Sequence, residues 1–180
     1  MATKSYNHER YLTERYSLLW KAIDWRCADR TGVSHISETI GECNRMAVCV
    51  ALIGKDSSPL FVSVCEREMP REFDIHMFLY CSLDIVDEKV DGSNRSQELY
   101  LGPLISDQKF KSFGYVTNTN VKMVLIAEVG NSTLKDQDVR SIFKRLHNAY
   151  YSALSNPFYV PGQMMKSRIL EKTAQEIFVR

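Results

Sequence analysis

The residues of this sequence that could do chemistry are cysteines, histidines and carboxylates, and they are scattered. The five cysteines show no C-x-x-C spacing, and the four histidines occur singly, so no metal-ligand or redox motif is present. Cys81 and Asp84 lie three residues apart and could serve a small thiol or acid/base enzyme if a pocket enclosed them. Because no catalytic motif surrounds them, we expect a protein that is not an enzyme and that holds no cofactor or metal.

The charge of the chain argues for protein partners. Lys and Arg total 23 against 22 acidic residues, which gives a formal net charge of +1, so we expect no binding to nucleic acid. No stretch approaches the roughly 20 apolar residues of a membrane span, so we expect at most peripheral membrane contact. One basic group on a predicted helix could meet anionic lipid or an acidic partner, although the pattern favours a solvated surface: Arg140, Lys144, Arg145 and His147.

Five strands are predicted to form the scaffold. The unbroken apolar run 46–53 predicts a strand buried on both faces. Turn residues over 54–59 and a second short run over 60–64 predict a hairpin with it. Three later stretches predict further strands: 98–104, 110–117 and 121–129.

Three helices are predicted among these strands. The first covers 72–90 and is entered through Pro70, and the second follows a capping-box pattern over 133–136. Pro157 ends the second helix, and a third covers 163–178. The order β-β-α-β-β-β-α-α predicts a single α+β domain, an antiparallel sheet with helices packed on it.

The N-terminal part of the chain does not show this alternation of predicted strands and helices. A mixed polar segment gives way at Met46 to the first apolar run, which predicts an N-terminal extension over 1–45 and a domain over 46–180. Apolar residues at helical spacing from Leu12 to Ile23 predict a short amphipathic helix. A loosely ordered extension fits the same residues equally well.

The first predicted helix is apolar on two sides, since ten of the fourteen residues from Phe73 to Val86 are apolar. The side predicted to meet the sheet carries Ile75, Leu79, Leu83, Val86 and Val90. The opposite side carries Phe73, Met77, Tyr80, Cys81 and Ile85, together with Asp84, Asp87 and Glu88. An exposed apolar face with a few charges is typical of a protein interface, so we predict that it binds a partner. The alternative is that residues 1–45 or the third helix cover it.

Six segments follow one another through 46–180: MAVCVA (46–51), SLDIVDEK (82–89), ELYLG (98–102), GYVTN (114–118), RSIFKRLHN (140–148) and NPFY (156–159). Together they resemble the sedlin family of subunits of the trafficking protein particle (TRAPP) vesicle-tethering complex. Residues 1–45 fall outside the family's pattern.

The resemblance implies a longin-like (SNARE-like) fold and a cytoplasmic, perinuclear protein at the endoplasmic reticulum and Golgi apparatus. It implies a non-enzymatic subunit in ER-to-Golgi and Golgi vesicle transport, which binds small core subunits and large subunits of the complex. The whole complex would then catalyse nucleotide exchange on a Rab GTPase. The family's subunit-contact motif S-L-D-x-V-D-E carries over onto Ser82, Leu83, Asp84, Val86, Asp87 and Glu88.

Two alternative interpretations remain at this point. One is a longin-like regulatory module of a SNARE or adaptor complex, although no heptad coiled coil follows the domain in this sequence. The other concerns Asn156 to Tyr159, which resembles a short endocytic sorting signal. For this segment we favour a helix-stopping turn whose two aromatic residues pack back on the domain.

Overall fold

A computed structural model describes residues 47–91, 98–129 and 134–179 of the 180-residue chain. Its strands are β1 (Cys49–Ile53), β2 (Pro59–Val64), β3 (Tyr100–Ser106), β4 (Phe110–Val116) and β5 (Lys122–Glu128). Its α-helices are α1 (Glu72–Asp91), α2 (Asp136–Leu154) and α3 (Arg168–Val179), and a 3-10 helix, Glu66–Arg71, precedes α1. This order confirms the predicted α+β class and agrees with the longin-like fold that the resemblance implies.

The strands form one antiparallel sheet in the order β2-β1-β5-β4-β3. β1 lies between β2 and β5, and all five of its residues are buried, which confirms the strand predicted from the apolar run. β5 occupies the centre, and six of its seven residues are buried. A strand with neighbours on both edges and layers on both faces needs apolar residues at nearly every position.

Both edges of the sheet are partly protected against further pairing. β3 contains Pro103, which has no N–H to donate, and Gly102 with a φ of +74°, and its register with β4 shifts twice. Proline and bulges discourage a further strand from adding to an edge. At the β2 edge, the N–H of Met165 donates to the carbonyl oxygen of Leu60 at 2.7 Å. The helices therefore offer better binding surfaces than the edges.

α1 lies on one face of the sheet, and α2 and α3 lie on the other. Ser82 of α1 is hydrogen-bonded to Ser112 of β4 at 2.8 Å between the hydroxyl oxygens. Phe143 of α2 stacks on Tyr115, three residues further along β4, with the ring centroids 5.5 Å apart. Successive strand residues point to opposite faces, so Ser112 and Tyr115, three positions apart, lie on opposite faces of the sheet. α1 therefore packs on the face of Ser112, and α2 packs on the face of Tyr115.

Aromatic rings join α2 to the sheet. Phe143 lies between Tyr100 and Tyr115, at centroid distances of 6.0 and 5.5 Å. The hydroxyl of Tyr100 donates to Asp136 Oδ1 at 2.6 Å, and burial together with this carboxylate raises the pKa of the Tyr100 phenol. His147 continues the cluster, with its ring 5.6 Å from that of Tyr115, and burial lowers the pKa of its imidazole.

The beginnings of α2 and α3 differ from the prediction. α2 begins at Asp136, with Lys135 at the N-cap position and no side-chain hydrogen bond that caps it. This start is two residues later than a capping box beginning at Thr133 predicts, and Thr133 itself lies outside the described residues. α3 begins at Arg168 and not at Gln163, because the intervening residues are used by the connection that reaches the β2 edge. Local pattern did not reveal the start of α3, because the preceding residues are used in a contact with the sheet.

Polar contacts fix α1 in place in addition to its apolar packing. The hydroxyls of Ser82 and Ser112 form a buried hydrogen bond. The carboxylate of Asp87 pairs with the ammonium group of Lys122, a buried residue of β5. Lys89 donates to two backbone carbonyl oxygens of β3, at 3.2 and 3.0 Å. α1 is thus tied to β3, β4 and β5.

Asp87→Asn tests the ion pair that holds α1. We expect the free energy of unfolding to fall by about 1–2 kcal/mol, because a buried ammonium group loses its counter-charge while Asp87 is itself partly open to water. Urea unfolding of the full chain measures the change. Glu88→Gln, the same acid-to-amide change at the next, exposed residue, should alter stability by less than about 0.5 kcal/mol. Equal losses for the two variants would contradict the structural role of Asp87.

The lowered pKa of His147 makes stability depend on pH. As the pH falls through the ordinary histidine value of 6.5, the unfolded chain binds a proton that the folded chain resists, so stability declines below that pH. We expect the urea midpoint to drop more for the wild type than for His147→Gln between about pH 7.5 and about pH 5.5. Parallel declines of the two midpoints would show that His147 is not responsible.

Candidate protein-interaction surface

The inner side of α1 packs on the sheet as predicted. Ile75, Leu79, Leu83 and Val86 are fully buried, and Val90, near the end of the helix, is half-buried. Their spacing places one such side chain on the same side at nearly every turn. The inner side is therefore satisfied by the protein's own core and offers nothing to a partner.

The outer side of α1 exposes apolar side chains. Phe73 is 66% exposed, Met77 is 36% exposed, Cys81 is exposed, and Ile85 is half-buried. The prediction that Tyr80 is exposed on this side is wrong, because its side chain is buried. At about 100° per residue, Tyr80 falls at the margin of the outer side. We define the α1 outer face by its surface residues: Phe73, Met77, Cys81, Asp84, Ile85 and Glu88.

The α1 outer face is also acidic. α1 carries six carboxylates and one lysine, and the lysine, Lys89, turns towards β3. Asp84 and Glu88 are exposed within the face, and Asp74 and Asp91 are exposed beside it. A partner that covers this face must therefore offer an apolar contact for Phe73 and Met77 and positive charge around it.

The S-L-D-x-V-D-E motif divides into anchors and surface residues. Ser82, Leu83 and Val86 are buried, so their side chains hold α1 on the sheet and do not reach a partner. The burial of these three residues could be predicted from the sequence, since at about 100° per residue all three fall on the side of α1 that meets the sheet. Treating the whole motif as a contact surface misses the difference between its buried and its exposed residues.

The three acids of the motif have different surroundings. Asp87 is half-buried and pairs with Lys122, which makes it an anchor. Asp84 and Glu88 are exposed one turn apart. Of the three acids of the motif, Asp84 and Glu88 are therefore the two that lie at the surface of α1.

The third helix does not cover the α1 outer face. α3 packs against α2, and Leu170, Ala174 and Ile177 bury themselves in the core cluster on the other face of the sheet. The prediction of self-cover by that helix is therefore wrong. Residues 1–45, the other predicted cover, and the predicted boundary at Met46 lie outside the described residues.

Cys81 and Asp84, the candidates for enzyme chemistry, lie on the open surface of a helix. A shallow cleft on the opposite face of the sheet contains neither of them and is lined by Arg145, Lys172, Gln175, Glu176 and Val179. Within 47–91, 98–129 and 134–179 no group of three or more His, Cys, Asp or Glu residues could hold a metal ion. Across those same ranges, no helix combines the length and apolar character needed to cross a membrane.

The predicted basic side of α2 is partly neutralised. Arg140 lies 3.4 Å from Glu98, and Arg145 lies 2.5 Å from Glu176, between charged atoms in each case. Lys144 is exposed. Only part of the positive charge seen in the sequence is therefore available on this helix.

The turn after α2 differs from the prediction that both of its aromatic residues pack back. Tyr159 does pack against the core cluster, but Phe158 is 90% exposed. Tyr151 and Leu154, in the last turns of α2, are exposed as well. The apolar residues at 151, 154 and 158 could have indicated an exposed apolar group from the sequence. Pro157 was instead interpreted only as the end of the helix.

Comparison with known proteins confirms the resemblance seen in the sequence. The family model described as Sedlin matches residues 52–180. The trafficking protein particle complex subunit 2-like protein of Xenopus tropicalis is 40% identical over 138 residues, which are 74% of this chain and 98% of the relative. The rat protein of the same name is 38% identical over 139 residues, 75% of this chain and 99% of the relative. The Dictyostelium discoideum protein is 37% identical over 134 residues, 72% and 92% respectively. This chain belongs to the sedlin family.

Proposed function

We propose that this chain is a non-enzymatic subunit of a TRAPP vesicle-tethering complex and that it joins the complex through the α1 outer face. The relatives named above carry the name of that complex, and each is covered over nearly its whole length. The observation that carries the surface assignment is Phe73, a phenylalanine 66% exposed on a helix whose inner side is already buried. Because Met77 and Cys81 are exposed on the same side of the helix, Phe73 belongs to an apolar patch, and such patches mark interaction sites.

The α1 outer face has the composition of a subunit contact. Phe73 and Met77 stand one turn apart and would form the apolar centre, where burial of a large side chain stabilises association by about 2 kcal/mol. Asp84 and Glu88 lie on the same face and would orient a partner that carries Lys or Arg around an apolar groove. Small core subunits and large subunits of the complex are the proposed partners.

The proposed role of the subunit is assembly. Held on a rigid sheet by its anchors, α1 offers a preformed surface, which lowers the entropic cost of binding. The assembled complex would act as the nucleotide exchanger of a Rab GTPase in ER-to-Golgi and Golgi transport. The subunit would then be found in the cytoplasm, in the perinuclear region and at the membranes of those two compartments.

A regulatory module of a SNARE or adaptor complex is the alternative function, because those assemblies also use longin-like domains. The sedlin match over 52–180 favours the TRAPP assignment. The two functions predict different partners for the same α1 outer face, so a purification experiment separates them.

Affinity purification of the tagged full chain tests the proposal. We expect TRAPP subunits to co-purify with the wild type, and their recovery to fall at least about tenfold with Asp84→Tyr or Phe73→Ser, since loss of a central contact costs about 2 kcal/mol. Both side chains are exposed, so the variants should fold normally. The readout is quantitative mass spectrometry of the co-purified proteins.

The matched control is Glu171→Tyr, the same kind of acid-to-tyrosine change at an exposed position on α3, across the sheet from α1. It should leave recovery unchanged. Recovery of SNARE or adaptor subunits in place of TRAPP subunits would support the alternative. If neither TRAPP subunits nor SNARE or adaptor subunits are recovered, the assignment is rejected. If Asp84→Tyr recovers as much TRAPP as the wild type, the α1 outer face is not the contact.

A further inference from the structure

The exposed side chains of α1 form one straight row along the helix. At about 100° per residue, six exposed positions fall within about 80° of one another: Phe73, Met77, Cys81, Asp84, Glu88 and Asp91. The row spans nearly the whole of α1, about 27 Å at a rise of 1.5 Å per residue. A partner element that contacts the whole row must therefore be long and straight.

The N-terminal half of the row is apolar. Phe73 is 66% exposed, and Met77, one turn further along, is 36% exposed. Cys81, a smaller side chain, follows after another turn and is exposed as well. Side chains spaced four residues apart form a ridge, and such a ridge packs into the groove between two ridges of another helix. The apolar half of the row therefore has a shape that the surface of a helix fits.

The C-terminal half of the row is acidic. Glu88 and Asp91 are exposed there, and Asp84 lies between them and the apolar half. Asp84 already takes part in an interaction within the chain, so the charge argument rests on Glu88 and Asp91. The single lysine of α1, Lys89, donates to carbonyl oxygens of β3. Because opposite charges orient a partner, the acidic half calls for Lys or Arg opposite it.

The backbone of the partner favours a helix over an extended segment. An extended segment on the apolar half would bury N–H and C=O groups against side chains that offer them no hydrogen bond. The backbone groups of α1 cannot supply these bonds, because they are used within α1 itself. A helix pairs its own backbone groups and presents only side chains. The apolar half therefore suits a helix.

The arrangement of charge argues against a second copy of this chain as the partner. If two copies of α1 packed side by side in parallel, Glu88 and Asp91 would face the same acids of the other copy. If they packed antiparallel, these acids would face the apolar half around Phe73. Both arrangements place carboxylates in a contact without a counter-charge, which is unfavourable. The partner is therefore a different chain.

We propose that the partner subunit lays one amphipathic helix along this row, and that the contact side of this helix is apolar in one half and carries Lys or Arg in the other. This inference rests on the proposed function, in which the α1 outer face is the subunit contact. The partner helix crosses α1 at about 20°, because a steeper crossing would leave the row before it reached both halves. Its apolar half packs on Phe73 and Met77, and its basic half meets Glu88 and Asp91.

Photocrosslinking within the purified complex tests the helix. The photoreactive residue p-benzoylphenylalanine replaces Phe73, Cys81 or Glu88 in the full chain, and mass spectrometry locates the partner residues to which it attaches. These three positions follow one another at intervals of about 12 and about 11 Å along α1. A partner helix should therefore be labelled at sites about 7 or 8 residues apart in one segment, with Lys or Arg around the site reached from position 88.

Two other labelling patterns would overturn the helix. An extended segment rises about 3.3 Å per residue, so its labelled sites would be only about 3 or 4 residues apart. A folded surface would be labelled in segments distant from one another in the partner's sequence.

Charge reversal tests the basic half of the partner helix. Glu88→Lys combined with Asp91→Lys should lower the recovery of the partner subunit at least about tenfold. Lysine suits the last turns of a helix, so α1 should remain folded, and the urea midpoint of the variant checks this. The matched control is Asp56→Lys combined with Glu171→Lys, the same change of charge at exposed acids of the β1–β2 hairpin and of α3. It should leave recovery unchanged.

The outcomes separate this inference from the proposed function. If Phe73→Ser lowers the recovery of TRAPP subunits and the reversal of Glu88 and Asp91 does not, the proposed function stands and the basic half is rejected. If the wild type recovers no TRAPP subunits, the proposed function is rejected and the inference with it.

Discussion

The packing of α1 on the sheet determines which side chains of this helix remain at the surface. One side of α1 is buried in the core. Near the C-terminal end of the helix, the Asp87 carboxylate supplies the counter-charge that the buried Lys122 ammonium group requires. The Ser82–Ser112 hydrogen bond allows little rotation of the helix about its axis. With the rotation fixed, Phe73 has no place in the core, and its exposure follows from the contacts on the other side of the same helix.

The sheet separates the α1 outer face from a second group of exposed apolar residues. The α1 outer face combines apolar side chains with carboxylates, whereas the exposed apolar residues on the other side are Tyr151 and Leu154 at the end of α2 and Phe158 in the turn that follows. β5, buried on both faces at the centre of the sheet, keeps the two apart.

The sequence predicted the elements and the inner side of α1 well, because apolar periodicity records burial directly: the run that includes β1 and the positions of Ile75 and Leu79 are examples. It predicted the ends of elements less well. α3 starts late because Met165 is used at the β2 edge, a contact between residues about 100 positions apart that no local pattern contains. The exposure of Phe158 was missed for a related reason, since a turn motif says where the chain reverses and not which of its aromatic side chains faces the core.

Thiol labelling of Cys81 measures whether a partner covers the α1 outer face, because this residue lies within that face and is exposed in the free chain. We expect a maleimide reagent to modify Cys81 readily in the isolated protein and about tenfold more slowly in the purified complex, where a partner covers the face. Cys49, buried in β1, should stay unmodified in both and serves as the internal reference for folding. Equal labelling of Cys81 in the free and the assembled protein would contradict the assignment of the α1 outer face as the subunit contact.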